Sequence, residues 1–238
     1  MKSYQDILSA KAAGQKLLAI LLDPDKIKWE ELSVLIQKIK TSKATHILVG
    51  GSTVALDLTD KLVEELKKQI DHLPILLFPG DFTQITDKAD ALLFLSLLSG
   101  RNPEYLIEQH IKAVPVLSKM KVEVIPTSYL LIDGGKETAV ARVSGTQPIP
   151  QSEVQKITHT AQAGEYLGHK LIYLEAGSGA NIPVSAEIIK AVSQSITIPL
   201  IVGGGIRSQQ QIERAYQSGA DMVVIGTAFE ENIDFFEN

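Results

Sequence analysis

Short apolar runs alternate with longer charged stretches along this chain. The apolar runs cover positions 17–22, 46–50, 75–78, 91–97, 122–125, 171–175, 200–202 and 222–225. Unbroken apolar runs of this length are the mark of parallel strands buried on both faces. The stretches between them carry helical periodicity. Positions 29–41 place Leu32, Leu35, Ile36 and Ile39 on one stripe, and 54–70 place Leu58, Leu62 and Leu66 at four-residue steps. Pro103 suits the first turn of a helix that continues over 105–117. Further helices are predicted at 153–167, 185–193 and 209–218, with a short one near the end. Positions 80–88 are too short for a full helix after the third strand, and 131–150, broken by glycine and proline, read as a long loop. Eight such units predict an α/β fold, a closed (β/α)8 TIM barrel forming one domain over 1–238, with the third helix short or missing. An open doubly wound sheet has the same local pattern.

Composition narrows the function. Hydrophobic residues make up 45% of 238, enough for a large core, and the net charge of −5 comes from mixed acids and bases. No basic block exists, so nucleic acid is not an expected partner. The chain has no cysteine, which excludes disulfides and thiolate metal sites and fits a cytoplasmic protein. Positions 1–14 are polar and mixed and do not read as a signal peptide. The longest greasy runs, 17–22 and 91–98, fall far short of the roughly 20 residues of a membrane helix.

Candidate chemistry gathers where strands run into helices, the working face of a barrel. The seventh strand ends in Gly203-Gly204-Gly205 and the eighth in Gly226-Thr227. Glycines let backbone amides approach a phosphate, and phosphate sites in barrels are commonly built from these two junctions. Either motif alone would equally make a tight turn. The sixth strand ends in Tyr173-Leu174-Glu175-Ala176-Gly177-Ser178-Gly179, a third amide-rich loop behind a carboxylate. Glu175 suits a group that accepts hydrogen bonds, or a proton, from substrate hydroxyls, and equally a salt-bridged rim residue. The first strand ends in Asp23-Pro24-Asp25-Lys26, two carboxylates around a rigid proline. A hard cation such as Mg²⁺ takes one or two carboxylates plus phosphate oxygens and water, while Asp and Pro also make ordinary turns and caps. Ser52, after the second strand, stands either beside Asp23 or as a helix cap. Tyr129 closes the fifth strand at the working face, where it and Leu97, Leu98, Tyr105 and Leu130 suit an apolar groove or plain core packing.

LDPDK at 22–26, ILVGGS at 47–52, YLEAGSGA at 173–180, VGGGI at 202–206 and VVIGTA at 223–228 together resemble the geranylgeranylglyceryl phosphate synthase family, which includes the heptaprenylglyceryl phosphate synthases. The resemblance spans essentially the whole chain. It implies transfer of a prenyl group, geranylgeranyl first among the candidates, from its diphosphate to the primary hydroxyl of sn-glycerol 1-phosphate, giving an ether-lipid precursor. Carried over by position, Asp23 and Ser52 resemble the Mg²⁺ site. Tyr173 to Gly179, Gly204, Gly205, Gly226 and Thr227 resemble the glycerol phosphate site. Leu21 stands where many bacterial members carry lysine, and the sixth loop has the longer GSG form. Both features resemble the branch with larger oligomers and geranylgeranyl transfer, so a homo-oligomer, dimer or hexamer, is expected. Contact with a membrane surface would come through the prenyl substrate or product.

A sugar-phosphate isomerase, epimerase or aldolase would share the glycine junctions. It would need a strand lysine or paired acid–base residues inside the barrel, and the apolar runs supply no such lysine. A non-catalytic glycerol-phosphate-binding protein could dispense with Asp23, which is present. The five histidines are scattered and read as solvated or structural.

Overall fold

The structure is a computed structural model that describes residues 2–233, 235 and 236. The expected single domain over 1–238 includes positions 1, 234, 237 and 238, which lie outside the described residues. Eight parallel strands close into a barrel in sequence order: β1 (Leu17–Leu22), β2 (His46–Val49), β3 (Ile75–Leu77), β4 (Ala91–Leu97), β5 (Glu123–Leu131), β6 (Leu171–Glu175), β7 (Leu200–Gly203) and β8 (Met222–Ile225). The seam is β1 against β8, with Leu17 opposite Met222 and Ile20 opposite Ile225. Closure removes the free edges that an open sheet would leave. Alternate residues divide the core into two layers. Leu18, Ile20 and Leu22 pack outward under the helices. Leu17 and Ala19 point into the barrel with Leu48, Leu93, Tyr173 and Val224. Both layers are apolar, which is why the strands read as unbroken runs.

The helices are α1 (Lys2–Ala12), α2 (Leu32–Thr41), α3 (Leu58–Gln69), α4 (Gln109–Leu117), α5 (Ala139–Ser144), α6 (Val154–Tyr166), α7 (Ala186–Ser195), α8 (Gln209–Gln217) and α9 (Thr227–Glu231). Helix α1 was not foreseen. It packs Ile7 and Ala10 into the interior layer, and its first amides, from Ser3 and Tyr4, donate to the Glu123 carboxylate at 2.8 and 3.3 Å. That carboxylate satisfies amides that a helix start leaves without partners.

Between β3 and β4 the chain makes only one 3₁₀ turn, Phe82–Gln84, so the third helix is missing as expected. Three expectations need correction. Helix α3 starts at Leu58, not at 54, because Asp57 takes a left-handed φ of 64° that breaks the helix before it. Strand β5 runs on past 125 to Leu131, since Thr127 and Ser128 are fully buried and hold ladder positions against β6. Positions 131–150 are not one loop: α5 forms there, with the Thr138 hydroxyl accepting from the Ala141 amide at 3.0 Å and Gly145 ending it at φ 65°.

Candidate functional site

Two cavities adjoin at the carboxyl end of the barrel. The first, open to solvent, spans about 1030 Å³ and is ringed by the loops after β1, β2, β6, β7 and β8. The second, also open to solvent, spans about 810 Å³ and lies where the third helix is missing, among Phe78, Phe82, Leu93, Leu95 and Tyr105. Gly51, Ser52, Phe78, Tyr129 and Val140 line both and form the seam.

In the first cavity, Glu175 ends β6 only 6% exposed. Its Oε1 accepts from the Gly177 amide at 2.6 Å. Burial pushes its carboxyl up to about 7, against the opposing pull of that amide and the nearby Tyr173 hydroxyl. The Tyr173 hydroxyl is buried and has no close hydrogen-bond partner. It shares the space over Gly203 with Glu175 Oε2: a side chain at 203 would meet the two oxygens at 2.5 and 2.8 Å. Gly204 turns at φ +82°, and a Cβ there would run into Glu175 Oε1 and the Gly177 amide. The glycine run is therefore needed to seat Glu175 as well as to expose amides. Across the cavity, Ser178 Oγ and Thr227 Oγ1 meet at 3.1 Å. Arg207 donates to the Gly179 carbonyl at 3.3 Å, tying the β6 and β7 loops together.

On the far wall stands Asp23. Its Oδ1 accepts from the Asp25 amide at 3.2 Å, and Lys26 lies 3.5 Å from Oδ2. The same ammonium lies 3.2 Å from Glu230 Oε2 on α9. Burial raises the Asp23 carboxyl above its ordinary value, and the charge of Lys26, shared with Glu230, only partly offsets this. Gly51 presses against this carboxylate, and a side chain there would meet Asp23 Oδ1 at 2.7 Å. No group of three or more His, Asp or Glu able to hold a metal occurs among the described residues. A cation here would take Asp23, the Ser52 hydroxyl and oxygens of water or substrate.

Of the residues expected from sequence, Asp23, Ser52, Tyr129, Tyr173, Glu175, Ser178, Gly179, Gly204, Gly205, Gly226 and Thr227 line the first cavity. Leu174 and Ala176 turn into the outer core layer, and the Gly177 amide is taken up by Glu175. Leu97, Tyr105 and Tyr129 line the apolar cavity, whereas Leu98 and Leu130 do not. Sequence reasoning missed Phe78, which stacks on Tyr173 at 5.1 Å between ring centres, and Glu230. A lone aromatic after a strand and an acid in a terminal helix gave no signal for either.

The chain is 58% identical over 235 residues to a geranylgeranylglyceryl phosphate synthase of Flavobacterium johnsoniae, covering 99% of this chain and 96% of that one. It is 56% identical to the corresponding protein of Zunongwangia profunda, over 96% and 97% of the two chains. The crystal structure of (S)-3-O-geranylgeranylglyceryl phosphate synthase from Thermoplasma acidophilum, in complex with its substrate sn-glycerol-1-phosphate, superposes with a TM-score of 0.92 at 35% identity, covering 100% of this chain and 95% of that one. Residues 11–237 match the PcrB family, and the chain belongs to it.

Proposed function

We propose that this protein is a prenyltransferase that joins geranylgeranyl diphosphate to the primary hydroxyl of sn-glycerol 1-phosphate. The observation that carries this reading is the pair of adjoining cavities. One is the more polar and is rimmed by glycine loops, the other is almost wholly apolar, and Ser52 stands at their seam beside the Asp23 loop. A phosphorylated polyol fits the first and a hydrocarbon tail the second.

In this reading the amides of the β7 and β8 loops, with the Ser178 and Thr227 hydroxyls, hold the phosphate. Glu175 accepts from the glycerol hydroxyls and aims one oxygen at the first carbon of the prenyl chain. The new C–O bond forms as the C–O bond to diphosphate breaks, with that electron pair leaving on the diphosphate. The hydroxyl proton passes to Glu175, whose position near pH 7 suits a group that both accepts and releases a proton. The half-buried Asp23 carboxylate, which faces the cavity, and the Ser52 hydroxyl fit a divalent cation. When bound there, Mg²⁺ supplies positive charge against the leaving diphosphate. Lys26, 3.5 Å from Asp23, adds a second positive charge on the same side. Orienting the nucleophile lowers the barrier by as much as roughly 7–11 kcal/mol in ideal cases.

On this reading the chain folds as one domain and works in the cytoplasm as a homo-oligomer. It meets a membrane surface only through its prenyl substrate or product. No helix among the described residues is long and apolar enough to cross a membrane. The test is release of diphosphate from a series of prenyl diphosphates, with sn-glycerol 1-phosphate or its 3-phosphate enantiomer, with and without Mg²⁺, and mass spectrometry of the product. A C20 ether formed only with Mg²⁺ and the 1-phosphate is expected. Equal turnover without the cation would remove the role given to Asp23 and Ser52, and absence of any ether product would overturn the reading.

A further inference from the structure

The second carboxylate of the first-strand motif has a place in the structure but no part in the chemistry above. Asp25 lies in the 3₁₀ turn Pro24–Lys26, directly after Asp23 and Pro24. Asp23 and Lys26 line the polar cavity, but Asp25 does not. Its Oδ1 instead accepts from the Ala55 amide at 3.0 Å, in the loop between β2 and α3. That loop carries Ser52, and it is lightly held. Gly51 is fixed by Gln84, which accepts from its amide and donates to its carbonyl. Among the described residues, the Asp25–Ala55 bond is the only hydrogen bond from positions 52–56 to another part of the barrel. Thr53, Ala55, Leu56 and Asp57 are exposed, so close packing is confined to the start of the loop, where the Ser52 carbonyl lies against Gly80. The loop ends at Asp57, a non-glycine residue in the left-handed region, a conformation that persists only where its surroundings hold it. At its start, the Gly51 backbone lies against the Asp23 carboxylate.

We infer that Asp25 is a positioning residue: it ties the β2–α3 loop to the first-strand turn and so holds Ser52 facing Asp23. The two carboxylates of the motif then divide their work. Asp23 faces the cavity with its charge, and Asp25 faces away and uses only its ability to accept a hydrogen bond. An asparagine keeps such an acceptor and loses the charge. A cation ligand would fail with asparagine, whereas a tether would not.

The inference rests on the reading of Asp23 and Ser52 as the cation and diphosphate site, and the experiment separates the two. In the metal-free protein, hydrogen exchange of the amides at 52–57 should speed up about 2- to 10-fold in Asp25→Ala, the effect of one exposed hydrogen bond, and stay within about twofold in Asp25→Asn. Calorimetry with Mg²⁺ and inorganic pyrophosphate should show a matching 2- to 10-fold loss of affinity in Asp25→Ala and little loss in Asp25→Asn, with sn-glycerol 1-phosphate binding unchanged in both. In turnover, the Asp25→Ala loss should fall on KM for the prenyl diphosphate more than on kcat. If Asp25→Asn is as damaging as Asp25→Ala, the charge matters and the tether is overturned. Unchanged exchange in Asp25→Ala, or equal weakening of both ligands, overturns it too. Asp23→Asn is the control: if it leaves Mg²⁺-dependent pyrophosphate binding intact, the underlying site reading fails whatever Asp25 does.

Discussion

Glu175 is held 6% exposed with one backbone amide as its close partner, and its carboxyl sits near 7 in place of the ordinary 4.5. That position costs stability. A carboxyl raised in the folded state stays protonated there while the unfolded chain ionises, so stability falls as pH rises from about 4.5 to about 7 and then levels off. The penalty above that window is on the order of 3 kcal/mol. Glu175→Gln removes the ionisable group but keeps the acceptor for Gly177. It should therefore raise the melting temperature at pH 8 and leave it unchanged near pH 4, measured by calorimetry at both pH values. Turnover should move the other way and fall by roughly 10- to 150-fold, because charge-assisted hydrogen bonds worth about 1.5–3 kcal/mol are lost. A variant no more stable than wild type at pH 8 would mean that Glu175 is already ionised at low cost. Asp23 differs, being only half-buried and open to the cavity. Asp23→Asn should abolish Mg²⁺-dependent turnover while glycerol phosphate binding by calorimetry stays within about twofold, since Asn keeps the shape and loses only the charge.

Seven strands were legible because their buried faces leave unbroken apolar runs, whereas β5 was cut short at 125 because the buried polar Thr127 and Ser128 interrupt its run. Helix α1 was not legible, because it buries only Ser3, Ile7 and Ala10 and so has almost no apolar stripe. Its place at the base of the barrel still makes it part of the core. Ile7 is fully buried in the interior layer, and Ile7→Ala should cost about 2–5 kcal/mol in urea unfolding with no change in KM for either substrate. A loss under 1 kcal/mol would mean that α1 is only a surface appendage. The glycine loops read from sequence as phosphate cradles or tight turns, and the structure adds a reason that the sequence hid. A side chain at Gly204 collides with Glu175 and the Gly177 amide, groups 27 to 29 positions away in sequence. On the proposed reading, Gly204→Val should weaken glycerol phosphate binding far more than prenyl diphosphate binding, by displacing the Glu175 carboxylate as well as crowding the space given to the phosphate. Equal losses for the two ligands would point to misfolding of the barrel. Lys26 and Glu230, 204 positions apart, meet only because closure of the barrel sets β8 beside β1. No local spacing reports such a pair.

At the scale of the molecule, the missing third helix opens the apolar cavity that the proposed function gives to the prenyl tail. In a complete barrel a helix would cover the outside of β3 and β4. Here a single 3₁₀ turn leaves an apolar cavity bounded on its far side by α4, whose Ala113 is 2% exposed and lines it. The polar cavity shares only the seam residues with it, so the two should answer separately to mutation. Ala113→Phe fills part of the apolar space from a wall remote from Glu175 and Asp23. Overpacking of this kind costs about 1–3 kcal/mol of stability, which a large barrel tolerates. In competition between a C15 and a C20 prenyl diphosphate, the variant should shift product toward the shorter chain, because the lost volume lies where the tail must run. Calorimetric affinity for sn-glycerol 1-phosphate should stay at the wild-type value. An unchanged product ratio, with the protein folded, would mean that the tail runs elsewhere. A loss of glycerol phosphate affinity equal to the loss of prenyl transfer would mean that the two cavities do not act as separate compartments.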